Sequence, residues 1–289
     1  MQNFKIGDVV VRKSYGGDVY FKITDIIMRD SSESMVLLKG VDHRLIADAP
    51  ASDLQIPPLQ DINSDNMTYS KKVNKNIKKI LMDRKGGSSS NRSMRSLRAD
   101  ESFGKAGKVL HIDADEEYID TCLKAYKQLN IEVIAKLIEE PQQSNMVLDL
   151  LNEIKPDILV LTGHDGMLKG QNDFKSLESY RSSKYFIDAV KAARGYERSL
   201  DDLVIVAGAC QSHYEAIIEA GANFASSPYR VLIHALDPVF VCEKVAFTSI
   251  NKILSIQDAI SNTITGVKGI GGLETRGKYR EGYPKSLYI

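Results

Sequence analysis

Cysteine is scarce in this sequence, tryptophan is absent, and long hydrophobic runs are missing. The three cysteines, Cys122, Cys210 and Cys242, are too few for a disulfide framework and none belongs to a CxxC pair, so we expect reduced thiols in a cytoplasm-like compartment. No apolar run approaches the roughly 20 residues that span a bilayer. The first residues carry Asp8 and lack the apolar core of a signal peptide, so we expect no membrane partner.

The sequence also lacks an excess of charge of either sign, because 38 basic residues balance 38 acidic ones. This balance gives no bulk attraction to nucleic acid. No HExxH, paired CxxC or calcium-loop spacing is present, so we expect no metal ion and no other cofactor. The 289 residues can form a large α/β domain with a small companion.

Residues 1–56 have the pattern of a small β-rich domain. β-prone runs flank Gly16-Gly17, a pair typical of a hairpin turn, and two more runs surround Gly40. Four or five short strands in about fifty residues predict an SH3-like β-barrel. Such a domain can bind a ligand or serve only as a structural appendage, and composition does not distinguish the two.

Residues 57–106 have the composition of a flexible basic linker. From Lys71 to Arg98 there are ten basic residues and a single acid, Asp83, and the end of the stretch is rich in serine and glycine. Few large apolar residues are available to offset the entropy cost of ordering. Residues 76–85 could form one short helix. No aromatic residue follows Tyr69 within the basic stretch, so we do not expect nucleic-acid binding.

Residues 107–289 alternate between strand-like and helical patterns. This alternation predicts a mostly parallel sheet with helices on both faces. Functional residues of such sheets collect at the carboxyl ends of the strands. The predicted strands are residues 108–113, 131–136, 156–163, 203–209 and 239–247, and the predicted helices are residues 116–129, 144–154, 183–194 and 212–221.

Two of the most apolar strands end in reactive residues. The strand 156–163 is followed by His164, and the strand 203–209 is followed by Cys210. If these strands are neighbours, His164 can take the proton of Cys210, and the first amides of the next helix would favour the thiolate. The backbone amides of Asp165 and Gly166 could then face a developing oxyanion.

Each part of this pair also has an ordinary explanation. A lone cysteine after a strand is more often buried and inert, and a lone histidine beside glycine is often a turn residue. The joint position of the two residues favours catalysis. The remaining candidates are weaker: Cys122 on the apolar face of a helix, Cys242 and His111 within strands, His43 in the first domain, His213 as a capping or outward-facing residue, and His234 as a supporting group.

The arrangement resembles that of the caspase-like cysteine peptidases, a clan that also contains legumain, clostripain, gingipain and separase. In caspases the histidine lies about 50 residues before the cysteine, and here His164 lies 46 residues before Cys210. One departure from the caspase pattern is Asp165, which stands between His164 and Gly166.

Four stretches resemble the YabG family of sporulation-specific proteases: "KIGDVVVRKSY", "KPDILVLTGHD", "AGACQSHYEAIIEAGANFASSPYRVLIHALDPV" and "KGIGGLETRG". The linker does not match closely. The resemblance implies a cysteine endopeptidase of the sporulating cell, cytoplasmic or associated with the spore coat. It implies coat, cortex-associated or germination proteins as substrates, cleavage chiefly after arginine, and self-processing. His164 and Cys210 correspond to the catalytic pair of the family.

An arginine-selective pocket needs a carboxylate at its base. In this fold class the pocket draws on the loop after the first strand, where Asp113, Asp115 and Glu116 occur. Asp113 is the first choice and Asp237 the second. Asp113 or Asp115 could equally cap the following helix. Three arginines of the linker, Arg92, Arg95 and Arg98, are the candidate self-cleavage sites.

Two other classes compete with the peptidase hypothesis. Residues 108–166 resemble the first half of a receiver-like signalling module, but a receiver needs a phosphorylatable aspartate at the end of its third strand, where this chain has Gly163-His164. A class I amidotransferase needs glycine two residues after its cysteine, where this chain has Ser212. The oligomeric state and the ligand of the first domain stay open.

Overall fold

The structure of the chain is a computed structural model that describes residues 4–27, 34–86 and 102–286. The first described region forms one antiparallel sheet in the order β4-β3-β2-β1-β5. Residues Gly16 and Gly17 have positive φ and form the turn between the first two strands, as predicted. The strands are β1 Val9–Arg12, β2 Phe21–Ile27, β3 Met35–Gly40, β4 Ile46–Pro50 and β5 Leu54–Gln55.

The predicted number of strands is confirmed, but the SH3-like barrel is not. Strands β4 and β5 lie at opposite edges of the sheet, and within the described residues no pairing joins them. The sheet therefore stays open. Its buried side includes Phe21, Ile23 and Leu38, with Leu45 and Leu232 packed against them. Leu232 belongs to the second region, so the two regions share this core.

The segment expected to be a flexible linker contains helix α1, Leu59–Gly86. Ile77 and Ile80 are buried in the core of the second region. The Arg84 guanidinium lies 3.4 Å from the Phe247 ring centroid and 2.8 Å from the Glu243 carboxylate. The helix is longer than the one considered at residues 76–85, because the few apolar residues of α1 recur at helical spacing and share one face. The domain boundaries stay a prediction, and residues 87–101, with Arg92, Arg95 and Arg98, lie outside the described residues.

The second region is built on a six-stranded sheet in the order β13-β11-β10-β9-β7-β8. The five strands from β8 to β11 are parallel to one another, and β13 joins β11 in the antiparallel direction. The strands from residue 102 onward are β6 Phe103–Lys105, β7 Val109–Asp113, β8 Val133–Leu137, β9 Ile158–Leu161, β10 Val204–Ala207, β11 Phe224–Ser226, β12 Ile253–Leu254, β13 Ile270–Gly272, β14 Thr275–Arg276 and β15 Arg280–Gly282.

Helices cover both faces of this sheet, as predicted. Side chains alternate along each strand: Val160 and Val206 belong to one apolar cluster, and Leu161 and Ala207 to the other. Helices α1, α2, α6 and α7 pack with the first cluster, and α3, α4 and α5 with the second. The helices of this region are α2 Glu116–Gln128, α3 Glu140–Ile154, α4 Ser183–Tyr196, α5 Tyr214–Glu219, α6 Asp237–Phe247 and α7 Ile256–Ile260.

The predicted strand 239–247 is wrong, because this stretch is helix α6. Its first turn contains Pro238, a residue suited to a helix start. Most of its side chains are buried on every side, so the polar face that would have revealed a helical period is missing. The glycine-rich stretch 266–277 supplies the edge strand β13 and the short strand β14.

We predict that Ile80→Ala lowers the free energy of unfolding by about 2–4 kcal/mol, since it opens a cavity between α1 and the core. The matched control is Met82→Ala on the same helix, because Met82 is 70% exposed. Chemical denaturation followed by circular dichroism measures both. Equal, small effects would show that α1 is not docked.

Candidate active site

The loops that follow β7, β9 and β10 meet at one edge of the sheet. The three strands are neighbours, and the register pairs Leu161 with Ile112 on one side and with Ala207 on the other. His164 lies three residues beyond Leu161, and Cys210 lies three residues beyond Ala207. The predicted adjacency of these two strand ends is therefore confirmed.

His164 lies between two carboxylates. Its Nε2 is 3.2 Å from Asp115 Oδ2 and its Nδ1 is 3.6 Å from Glu140 Oε1. The imidazole is nearly buried. Burial alone would lower the pKa of His164, but Asp115 and Glu140 together raise it above the ordinary value. The site thus stabilises the imidazolium form.

Glu140 is a site residue that sequence reasoning missed. It begins α3 and accepts a hydrogen bond of 2.7 Å from the backbone amide of His164. Its approach depends on Gly163, where a Cβ atom would lie 2.3 Å from Glu140 Oε1. The Gly163-His164 pair was visible in the sequence, but no local signal connects it to a residue more than twenty positions earlier.

The thiol of Cys210 is completely buried. Its Sγ accepts a hydrogen bond from the Ile233 amide at 3.3 Å and lies 3.7 Å from the Ile233 carbonyl oxygen. Burial raises the pKa of the thiol to about 12. The Ile233 backbone and the charge of Arg44 lower this pKa, but their effect is smaller than that of burial. We expected the first amides of the next helix to favour the Cys210 thiolate. This expectation is wrong, because α5 begins only at Tyr214, four residues after the cysteine. The thiol is therefore protonated at neutral pH.

No hydrogen bond joins His164 to Cys210 among the residues that the structure describes. Tyr118 of α2 lies close to both groups. Its ring centroid is 5.6 Å from that of His164. Burial raises the pKa of Tyr118, and a charge on the Cys210 sulfur would raise this pKa further, which indicates that the sulfur is also near. The two predicted residues follow neighbouring strands at one edge of the sheet, and among the described residues no hydrogen bond joins them.

Asp165 ties the two strand ends together. Its carboxylate accepts hydrogen bonds from Ser183 Oγ at 2.5 Å, from Ser212 Oγ and the Ser182 amide at 2.8 Å, and from the Gly166 amide at 2.9 Å. Burial raises its pKa despite these bonds. The Gly166 amide is thus already engaged, so the predicted oxyanion role of Asp165 and Gly166 stays a prediction that requires this bond to open.

Asp113, the first choice for the arginine pocket, is fully buried and already paired with an arginine of this chain. Its carboxylate forms an ion pair with the Arg44 guanidinium, and His111 Nε2 lies 3.4 Å away. Burial would raise the pKa of Asp113, but the guanidinium lowers it. Asp115 is the residue that caps α2, since its carboxylate accepts from the Glu117 and Tyr118 amides.

Asp237, the second choice, has a different role. Its carboxylate accepts hydrogen bonds from the Ile264 amide at 2.5 Å and from the Thr265 amide at 3.3 Å. Burial raises its pKa to about 6. Among the described residues no contact joins Asp237 to His164 or Cys210, so the structure does not bring this acid to the candidate site.

The other singled-out groups are structural. His213 caps α5, because its side chain accepts a hydrogen bond from the Ala216 amide. The sequence had left open whether His213 caps this helix or faces outward. His234 is buried, and burial lowers its pKa to about 3.

Within the described ranges, no group of three or more His, Cys, Asp or Glu side chains could hold a metal ion. In that part of the chain no helix is long and apolar enough to cross a membrane.

The chain matches known proteins along nearly its whole length. The model of the family described as YabG peptidase U57 matches residues 5–284. The sporulation-specific protease YabG of Bacillus subtilis (strain 168) is 40% identical over 287 residues, which cover 97% of this chain and 98% of that protein. The resemblance in the sequence is confirmed, and the receiver-like alternative is left without support.

We predict that Asp115→Asn and Glu140→Gln each lower the pKa of His164, because each removes a carboxylate that favours the imidazolium. The ring contributes stability below its unfolded pKa, near 6.5, and this contribution is lost as pH rises through the raised folded pKa. NMR titration of the imidazole nitrogens measures the change. Glu139→Gln, at an exposed neighbouring position, is the control and should leave the titration unchanged.

Proposed function

The chain belongs to the YabG peptidase U57 family, and we propose that it is a cysteine endopeptidase with Cys210 as nucleophile and His164 as general base. The observation that carries the proposal is the register of β9 and β10. Leu161 of β9 pairs with Ala207 of β10. His164 and Cys210 each lie three residues after their member of this pair. A nucleophile and a base on neighbouring loops at the carboxyl edge of a parallel sheet are the parts that acyl transfer needs.

The proposed chemistry begins from the neutral form of the His164 imidazole, which accepts the Cys210 proton and becomes the imidazolium that Asp115 and Glu140 stabilise. The sulfur then bonds to the scissile carbonyl carbon, and the carbonyl oxygen takes the negative charge. Collapse of this intermediate breaks the C–N bond, and His164 returns its proton to the leaving amine. Water then hydrolyses the thioester with His164 again acting as base, which releases the acid and restores the thiol.

One feature of the site supports the proposed role of His164. Glu140 faces Nδ1 of His164 and would hold the ring while stabilising the positive charge that the ring gains. Nε2, which would face the sulfur during reaction, instead lies beside Asp115. Because the thiol is protonated and buried, the arrangement described here is a resting one, and substrate entry must bring the imidazole and the sulfur together.

The proposed specificity is for arginine before the scissile bond. Asp113 supports it, since this carboxylate at the end of β7 is already bonded to a guanidinium group. The similar Bacillus subtilis protein is by name a sporulation-specific protease. We extend this to the chain and propose proteins of the spore coat, cortex or germination machinery as substrates, inside the sporulating cell.

We predict that Cys210→Ala and His164→Ala each lower kcat/KM for a fluorogenic arginyl peptide by at least about a thousandfold, since nucleophile and base act as a unit. Peptides that differ only in the residue before the scissile bond, assayed under reducing conditions, test arginine preference at the same time. Cys242→Ala is the matched control, because Cys242 is also a buried thiol whose pKa burial raises to about 12. Full activity in Cys210→Ala would end the cysteine mechanism.

We also predict self-cleavage after Arg92, Arg95 or Arg98. Intact-mass spectrometry during storage should show cuts after these residues in the native chain and none in Cys210→Ala. A triple variant with glutamine at the three positions should stay uncut while retaining activity on peptides. Equal cutting of the native and Cys210→Ala chains would assign the cleavage to a contaminating protease.

A further inference from the structure

Arg44 is an arginine with no exposed surface, although it lies in the short connection between β3 and β4. Its guanidinium pairs with Asp113, donates to the Ala235 carbonyl oxygen at 3.1 Å and lies 5.0 Å from the Tyr118 ring centroid. Two of these three partners, a carboxylate and an aromatic face, are the groups that recognise guanidinium most strongly. The β3–β4 connection therefore inserts its arginine into a formed guanidinium pocket.

The backbone beside Arg44 pairs as a bound peptide would. His43 forms an antiparallel bridge with His234, and the Ala235 amide donates to the Asp42 carbonyl oxygen at 2.9 Å. The Tyr118 hydroxyl lies 2.6 Å from the His43 carbonyl oxygen. Addition of an extended segment to a free edge is a common way to bind peptides, with side-chain pockets giving the specificity.

This segment also runs past the proposed reacting groups. Ile233, which immediately precedes His234, binds the Cys210 sulfur through its amide. On the other side of Arg44, the Leu45 Cδ1 atom lies 3.5 Å from the position that a Cβ atom would take at Gly166, two residues after His164. The arginine and the residue after it thus lie between the loop of the nucleophile and the loop of the base.

We propose that Arg44 occupies the substrate-arginine site of the peptidase, so that the β3–β4 connection blocks the cleft from within the same chain. The inference rests on the proposed function and deepens it. The pocket of Asp113, Tyr118 and the Ala235 carbonyl oxygen receives the arginine of a substrate, and that arginine must first displace Arg44.

The turn around Arg44 explains how the connection can stay uncut. The Leu45 amide donates to the His43 carbonyl oxygen at 2.7 Å, and the Gly40 amide donates to the Leu45 carbonyl oxygen at 2.9 Å. These bonds close a tight turn across the Arg44–Leu45 peptide bond, whereas a cleavable peptide is extended there. The pairing of Lys39 with Ile46 holds both arms of the turn in the sheet.

The fit of Arg44 is also imperfect. Its Nε atom is buried and has no hydrogen-bond partner among the described residues. An arginine whose sole task was to anchor the first sheet would be expected to satisfy this donor. A guanidinium that leaves one donor unpaired is easier to displace, which suits an occupant that must leave.

The first test is activity of the full chain on an arginyl peptide amide. Arg44→Gln should raise kcat/KM at least tenfold, mainly through a lower KM, because the internal competitor is gone. Arg12→Gln is the matched control: Arg12 belongs to the same sheet and pairs with Asp53 near the surface. A native chain that releases a fragment ending at Arg44 would show that the connection is a substrate, and this would overturn the inference.

The second test needs no catalysis and uses Cys210→Ala as background. Benzamidine, an aryl amidine, should raise the melting temperature of the Arg44→Gln form and leave the form with Arg44 unchanged. Adding Asp113→Asn should abolish the shift. If Arg44→Gln does not fold, Arg44→Lys preserves the charge beside Asp113 without the guanidinium fork and should show a smaller shift of the same sign.

The two tests separate the proposals. Absence of cleavage by every form, together with a benzamidine shift confined to the Arg44 variants, would overturn the peptidase mechanism and retain the pocket. An equal benzamidine shift with and without Arg44, or no shift in folded Arg44 variants, would overturn the occupancy of the pocket whatever the activity.

Discussion

The buried ion pair between Arg44 and Asp113 joins the two sheets of this protein. One partner comes from the connection β3–β4 of the open antiparallel sheet and the other from the end of β7 in the parallel sheet. Both side chains have no exposed surface, so each depends on the other to offset the loss of its hydration. Removing either partner alone leaves an uncompensated buried charge, typically at a cost of about 3–5 kcal/mol. The pair therefore fixes how the first sheet covers the candidate site.

Burial and charge set the state of the candidate catalytic pair. Two carboxylates hold His164 toward its charged form, while burial holds Cys210 toward its neutral form. A thiolate at Cys210 would need a positive charge close to the sulfur. The imidazolium of His164 could supply this charge, but both of its ring nitrogens lie beside carboxylates, those of Asp115 and Glu140. Lys39 of the first sheet reinforces this arrangement, because its ammonium lies 3.0 Å from Asp115 Oδ2.

The sequence allowed the parallel sheet and its reactive edge to be predicted, because strongly apolar strands alternate with amphipathic helices and the reactive residues follow the strands directly. Helix α6 was mistaken for a strand since burial on all sides removes its period. Glu140 and Arg44 could not be predicted as site residues, because their partners lie far away in sequence. Helix α1 is longer than the short helix expected at residues 76–85, and its docking was not predicted, because the lysines that coat its exposed face dominate its composition although Ile77 and Ile80 are buried.

The docking of helix α1 changes what a break in the chain would produce. Its buried isoleucines and the contact of Arg84 with Glu243 and Phe247 attach residues up to 86 to the parallel sheet without any covalent link. A cut between residues 87 and 101 would therefore leave a two-chain particle, whose pieces separate in detergent and migrate together under native conditions. Limited proteolysis at this place would convert the molecule into a noncovalent heterodimer.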